Sequence, residues 1–307
     1  MNTDFPDHLF KFSPSIDPSM YSYICRAGME MCRNKNILWC GIARNVENNL
    51  ELNLERYIRT CKAFNKSHMF VYENDSTDET VNILDRYKKF VTYKSEKRED
   101  QDYVEKMNTP ADPFHFNRCT VLSECRNKYM DYIEENNLRD EYDYICVVDL
   151  DTKGGWSYQG FYSSIFFLEN AEENAAMTAY GVVSSAFQDK MLEDVHFDDW
   201  LFYDSFAYRD LDYDPRMSKG HTQLFNSLKF KVGQDPIEVL SNFNGLGIYK
   251  SKFFKHKYQT TMWGETMVDS EHIYVHKSIR EDGGKVFLNP SMTLSYSYHH
   301  QCGALND

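Results

Sequence analysis

Four short apolar runs alternate with amphipathic stretches between residues 37 and 151, and this rhythm limits the fold more than any other feature. ILWCGIARN (37–45), HMFVYEND (68–75), FVTYKS (90–95) and DYICVVDLD (143–151) have the length and composition of buried strands. NLELNLERYIRTCKAF (49–64) sets Leu50, Leu54, Tyr57, Ile58 and Cys61 three and four apart, as one helix face requires. STDETVNILDRY (76–87) has Val81, Ile83, Leu84 and Tyr87 on its apolar side, with Ser76 or Thr77 placed to cap its start. VLSECRNKYMDYIEEN (121–136) returns to helical spacing. Strands alternating with helices predict an α/β fold: a mainly parallel sheet with right-handed crossovers, flanked by helices, in a single domain. In such sheets ligands sit beyond the carboxyl ends of the strands.

The expected organisation is an N-terminal arm over 1–36, marked by Pro6, Pro14 and Pro18, followed by one domain over 37–307. Within that domain, 37–151 reads as the nucleotide-binding half and 152–307 as the acceptor-binding half. The polar stretch 94–117, broken by Pro110 and Pro113, is a long loop, and loops of that length in compact domains usually serve function. The 307 residues include 34 Lys and Arg against 47 Asp and Glu, a net charge of −13 that argues against nucleic-acid or anionic-membrane partners. No apolar run is long enough to span a bilayer. MNTDFPDHLFKF lacks the apolar core of a secretory signal. Eight cysteines without a CxxC pair fit a reducing, cytoplasmic setting, with Cys40 and Cys146 as small buried hydrophobes.

Neither GxGxxG nor GxxxxGK[ST] occurs, so the usual dinucleotide and P-loop sites are excluded. YENDSTDET instead supplies Glu73 and Asp75 at a strand end, groups suited to a base and ribose. Asp149 and Asp151 in VVDLDTKGGW are two apart, so on a strand both carboxylates face one side as it leaves the sheet. Two hard oxygen ligands there suit Mn²⁺ or Mg²⁺ bridging a diphosphate. Arg118, Arg126 and Asn127 precede that strand, and Arg126 is spaced either to reach a diphosphate or to pair with Glu124 or Asp131. LEDVHFDDWLFYDSFAYRDLDY, from Leu192, interleaves rings with acids as a carbohydrate site does; its alternative is an amphipathic helix burying Leu201, Phe202, Phe206 and Leu211. Near the C-terminus, EHIYVH places His272 and His276 on one helical face without the HExxH order of a zinc helix. Glu271, then Asp269, are the candidates for a catalytic carboxylate or a sugar ligand, against plain helix capping. His299 and His300 end a strand-like SYSYHH, where either is placed to complete a metal shell.

IARN, YENDSTDET, SECRN and the acidic strand end, in that order, resemble a nucleotide-sugar glycosyltransferase of the GT-A fold. YDSFAYRD, SNFNGLGIYK, DSEHIYVHKSIREDGG and NPSMTLSYSY continue the order seen in fungal capsule-associated α-1,3-mannosyltransferases and in glycosyltransferases of large DNA viruses. The resemblance covers roughly residues 37–300. It implies that Ala43, Arg44, Asn45, Glu73 and Asp75 hold the nucleotide, Arg126 the diphosphate, and Asp149 and Asp151 the metal. Tyr203, Asp204, Arg209, Asn244 and Gly245 would shape the sugar and acceptor pocket. Two departures stand out: the fungal enzymes carry a membrane anchor not seen here, and their acidic motif is less DxD-like than VVDLD. For virus-encoded relatives the implied setting is the host cytoplasm. The expected protein is a metal-dependent glycosyltransferase moving a sugar from a UDP- or GDP-sugar to a glycan or glycoprotein. The rival readings are a sugar nucleotidyltransferase, which needs a Gly-rich basic N-terminal loop, and a non-catalytic carbohydrate-binding protein.

Overall fold

Each of the four apolar runs becomes a strand in the computed structural model, which describes residues 3–98, 116–184, 200–212, 228–263 and 267–296. These strands are β1 (Asn36–Ala43), β2 (Lys66–Asn74), β3 (Val91–Glu96) and β4 (Tyr144–Asp149). They pair in parallel in the order β3-β2-β1-β4. Beyond β4 comes β9 (Leu246–Lys250), antiparallel to both β4 and β6 (Asn174–Ser184). Two reversals restore the direction, so β6 runs with β4, and β12 (Lys285–Ser295) pairs with β6 in parallel. β5 (Gly155–Trp156), β7 (Trp200–Phe202) and β8 (Ile237–Val239) bring the sheet to ten strands among the described residues. A separate antiparallel pair joins β10 (Thr261–Trp263) to β11 (Met267–Asp269).

Both faces of the sheet are covered at its centre, which is why β1 and β4 are nearly continuous apolar runs rather than alternating with polar residues. On one face Leu38, Cys40, Tyr72, Ile145 and Val147 meet α4 (Phe116–Glu135) through Val121, Cys125, Tyr129 and Ile133. Val275 and Ile279 of α6 (Glu271–Glu281) join the same cluster. On the other face, Trp39 and Val71 meet Leu50, Leu54 and Tyr57 of α2 (Glu47–Cys61) and Phe161 of α5 (Tyr158–Glu169). Trp39 stacks on Phe161 at 5.3 Å between centroids. Burying such a ring stabilises by about 1.5–3 kcal/mol. The first residues are tied to this face by α1 (Pro18–Met31), where Gly28 approaches so closely that a Cβ would lie 1.9 Å from the Tyr162 carbonyl oxygen of α5.

Three local expectations change. The helix expected over 76–87 is α3 (Thr80–Arg86), and neither Ser76 nor Thr77 caps it. Asp78 accepts from the Thr80 and Glu47 N–H groups at 3.0 and 3.1 Å, so it ties the starts of two helices together. The helix considered for LFYDSFAYRD is absent: β7 is followed by a turn, with Phe202 buried but Leu211 49 % exposed. Finally, β4 ends at Asp149, so Asp151 belongs to the turn beyond the strand. Cys40 and Cys146 are fully buried, as expected of small hydrophobes. No helix among the described residues is long and apolar enough to cross a membrane.

Candidate active site

Asp149, the last residue of β4, stands where the carboxyl ends of β1 and β4 meet the amino end of the reversed β9. Its Oδ1 accepts from Arg126 Nη2 and its Oδ2 from the Tyr296 hydroxyl, each at 3.2 Å. Arg126 projects from α4 and is 4 % exposed; its Nε donates to Glu271 Oε1 at 3.0 Å. One guanidinium therefore joins the acidic strand end to the first turn of α6. Its Nη1 meets no acceptor among the described residues. Phe243 and Tyr258 lie under the guanidinium at 5.1 and 5.8 Å, a cation–π contact that favours the buried charge. The helical alternative for Arg126, pairing with Glu124 or Asp131, is not what forms: Glu124 pairs with Arg98 and Asp131 with Lys257.

A cavity of about 440 Å³ opens beside this triad, lined by Arg118, Arg126, Asp149, Tyr203, Asp204 and Glu271 among others. A smaller cleft of about 190 Å³ adjoins it, with Ala43, Arg44, Asn74 and Asp151 in its wall. Arg118, Leu122, Arg126 and Asp149 line both. Tyr203 and Tyr296 stack at 3.6 Å at the larger cavity's edge. Asp204 Oδ1 accepts from the Ala207 N–H at 3.1 Å and Oδ2 from the Asn244 N–H at 3.3 Å. Loss of solvent around Asp204, with Asp149 and Glu271 nearby, still pushes its carboxyl up to about 6. The Asp151 carboxyl is likewise raised to about 6, by loss of solvent around it and then by the Asp149 charge.

The predicted residues divide between those that face the openings and those that build them. Ala43, Arg44, Arg126, Asp149 and Asp151 line the smaller cleft; Tyr203, Asp204 and Glu271 line the larger cavity. Asn45 and Asp75 adopt left-handed backbone, with φ of +52° and +53°. Asn45 Oδ1 accepts from the Thr77 N–H at 2.8 Å, and Asp75 Oδ1 from the Arg98 N–H at 3.0 Å. Buried Glu73 accepts from the Ser76 N–H at 2.8 Å and from the Ser95 hydroxyl. These three pin the loops after β1, β2 and β3 to one another. Asp269 turns away from the cavity: it pairs with Arg209 at 3.2 Å, and both are buried. Arg209 also donates to the carbonyls of Phe206 and Tyr208, holding the turn that carries Asp204. Asn244 and Gly245, at φ of +54° and +83°, shape the approach to β9. A Cβ on Gly245 would lie 2.2 Å from the Tyr296 hydroxyl, so that position holds the tyrosine against Asp149.

His276 is fully buried between the Ser241 and Tyr249 hydroxyls at 2.9 and 3.0 Å, and burial pushes it down to about 3. His272 stacks on Phe243 at 3.7 Å and lines the larger cavity. His299 and His300 lie outside the described residues, as do residues 99–115 of the long loop. Sequence reasoning missed Asn74 and Tyr296. Asn74 sits between the two acids of YEND, and Tyr296 within the SYSY run, so their signal was adjacency alone. Among the described residues no group of three or more His, Cys, Asp or Glu side chains is gathered for a metal ion.

A mainly parallel sheet with a reversed strand beside β4, and a carboxylate-bearing cleft at the strands' carboxyl ends, is the arrangement of the α/β GT-A fold of glycosyltransferases. The chain belongs to the family described as cryptococcal mannosyltransferase 1, whose model matches residues 40–278. Comparison with curated proteins gives no match. Similar solved structures include the mannosyltransferase PcManGT from Pyrobaculum calidifontis with GDP-Man and Mn²⁺, at 10 % identity and TM-score 0.48, covering 91 % of this chain and 64 % of that one. TarS 1–349 of S. aureus is similar at 11 % identity and TM-score 0.44, covering 84 % and 59 %. GalNAc-T7 with UDP, GalNAc and Mn²⁺ is similar at 11 % identity and TM-score 0.45, covering 95 % and 54 %. The chain thus spans between about half and two thirds of the length of these solved chains.

Proposed function

We propose that the chain transfers a sugar, mannose by the name of its family, from a nucleoside-diphosphate sugar to a glycan or glycoprotein acceptor. The observation that carries this reading is Arg126: it pairs with Asp149 and Glu271 at the junction of the two openings, and its buried Nη1 meets no acceptor among the described residues. The smaller cleft, with Arg44, Asn74 and Arg118, takes the nucleotide and its diphosphate, since guanidinium groups recognise phosphate oxygens. The larger cavity takes the acceptor, with Tyr203 offering a ring face and Asp204 a carboxyl group. Residues 37–151 act as the donor half and 152–307 as the acceptor half.

The donor set fits a hard divalent cation. Asp149 and Asp151 are close enough that one carboxylate raises the other, a repulsion a cation relieves. Mn²⁺ or Mg²⁺ held by Asp151, with Asp149 beside it, would neutralise charge on the departing diphosphate. Glu271, fixed by Arg126, is a carboxylate that lines the acceptor cavity. It accepts the acceptor hydroxyl proton if the anomeric centre inverts, and orients a sugar hydroxyl if it is retained. The seven buried cysteines among the described residues form no disulfide with one another, which fits a reducing, cytoplasmic setting.

Thermal unfolding with GDP-mannose, UDP-glucose and UDP-N-acetylglucosamine, each with and without Mn²⁺, tests the reading. A saturable rise in Tm with one nucleotide sugar, larger with Mn²⁺, is expected, because ligands of the native state stabilise it. If none of the three shifts Tm in either condition, the donor assignment is lost.

A further inference from the structure

The hydroxyl of Tyr296 is placed more tightly than a buried phenol requires. Tyr296 is 9 % exposed and lines the larger cavity, while its hydroxyl donates to Asp149 Oδ2 at 3.2 Å. Three separate restraints converge on that contact. The Tyr296 N–H donates to the Val182 carbonyl at 3.0 Å, and the Tyr203 N–H to the preceding carbonyl, Gly181, at 2.9 Å, so β6 anchors both tyrosines side by side. Their rings then stack at 3.6 Å with 22° between the planes. Against the hydroxyl lies Gly245, at φ of +83°, where a Cβ would come within 2.2 Å of the phenolic oxygen. The Gly245 carbonyl also accepts the Asp149 N–H at 2.8 Å, so one residue fixes the backbone of the acid and makes room for its partner. Buried tyrosine hydroxyls usually find an acceptor. That need alone does not call for a left-handed glycine at the contact, with the conformational entropy it loses on folding.

An ionised carboxylate offers two oxygens and about four lone-pair sites. Beside a guanidinium it frequently pairs through both oxygens at once. Asp149 does not: Arg126 Nη2 reaches Oδ1 alone at 3.2 Å, Nη1 meets no acceptor among the described residues, and Oδ2 is turned to Tyr296. A phenol hydroxyl is uncharged, so it orients Oδ2 without neutralising it. A second prong from the guanidinium would do the reverse, drawing the carboxylate into a closed ion pair.

We propose that Tyr296 is a positioning residue: its hydroxyl holds the Asp149 carboxylate out of a two-pronged pair with Arg126 and keeps it turned to serve the cation that carries the donor diphosphate. This role rests on the cation assignment made above for Asp149 and Asp151. The group that hydrogen-bonds a metal-holding side chain sets its orientation, and losing that group typically costs about ten- to a hundredfold in metal affinity.

Tyr296→Phe keeps the ring against Tyr203 and removes only the hydroxyl. Calorimetry with GDP and with UDP, each in Mn²⁺ and in EDTA, separates the gain in affinity due to the cation from nucleotide binding as such. The expected result is a gain lowered about tenfold or more, with affinity in EDTA at the wild-type level, which a general loosening of the site would not spare. Because the hydroxyl acts through one carboxylate, adding Tyr296→Phe to Asp149→Asn should take away little more. An undiminished gain in Tyr296→Phe, an equal fall in EDTA, or an equal further loss in the Asp149→Asn background would overturn the proposal while leaving the cation assignment in place. A wild-type chain that shows no gain with either nucleotide would overturn the assignment itself, and this role with it.

Discussion

Arg126 stands 3.0 Å from Glu271 and 3.2 Å from Asp149 at 4 % exposure, so the cavity holds one cation between two acids on different elements. Removing one member of a buried pair leaves an uncompensated charge, at a cost of about 3–5 kcal/mol. Arg126→Met should therefore unfold at lower denaturant by that amount. Adding Glu271→Gln should return part of the loss, and strict additivity in the double-mutant cycle would mean that the pair is not coupled. Glu271→Gln alone keeps the shape of the side chain and removes its charge. It should lower transfer about a hundredfold while nucleotide affinity, measured by calorimetry, stays at the wild-type level, since Glu271 lies outside the donor cleft. Asp269→Asn should instead lower stability, because buried Arg209 loses its carboxylate. Transfer at the wild-type rate in Glu271→Gln would remove that residue from the chemistry. The NMR anomeric signal of the product separates a proton acceptor from a sugar ligand.

The turn after β4 shows how an element positions the site. Asn53 Nδ2 donates to the Leu150 and Thr152 carbonyls at 2.9 and 2.8 Å, Arg56 Nη1 donates to Asn53 Oδ1 at 3.0 Å, and Asn49 Nδ2 reaches the Asp151 carbonyl at 3.1 Å. α2 thus buries an apolar row against the sheet and uses a polar row to hold the turn that carries Asp151. Asn53→Ala should cost about 1–3 kcal/mol, since two buried carbonyls lose their donor, and should also weaken Mn²⁺-dependent nucleotide binding. A stability loss with unaltered metal dependence would reduce the polar row to scaffolding. The apolar row was legible in the sequence because three-and-four spacing marks a buried face. The polar row was not, since Asn53 and Arg56 are residue types that ordinarily face solvent. The same limit explains α3: an acid two residues before a helix looks like any other, and only the fold shows Asp78 serving two helix starts. Glu73 and Asp75 were legible as strand-end carboxylates, but not as the groups that tie loops together. That depended on Asn45, Ser76 and Ser95 arriving from neighbouring segments.

At the scale of the whole molecule, two raised carboxyl groups set opposite pH trends. Asp204, raised to about 6 against an ordinary 3.8, keeps its proton longer in the folded chain than in the unfolded one. The native state therefore binds more protons between about pH 4 and 6, and this contribution to stability is lost as pH rises through that window. Asp151, also raised to about 6, must lose its proton to serve as an oxygen ligand, so cation-assisted donor binding strengthens as pH rises through the same range. Below about pH 6 the loss approaches tenfold per pH unit, or about 1.4 kcal/mol. The difference in Tm between protein with GDP-mannose and Mn²⁺ and protein alone cancels groups that titrate equally in both, and it should widen steadily from pH 5 to 7. The diphosphate of a nucleotide sugar is a diester that keeps its charge over this interval, so the trend reports the protein. Asp151→Asn should flatten the profile and leave a smaller difference throughout. A difference independent of pH in the wild-type chain would mean that Asp151 takes no part in holding the cation, leaving the acidic strand end with Asp149 alone.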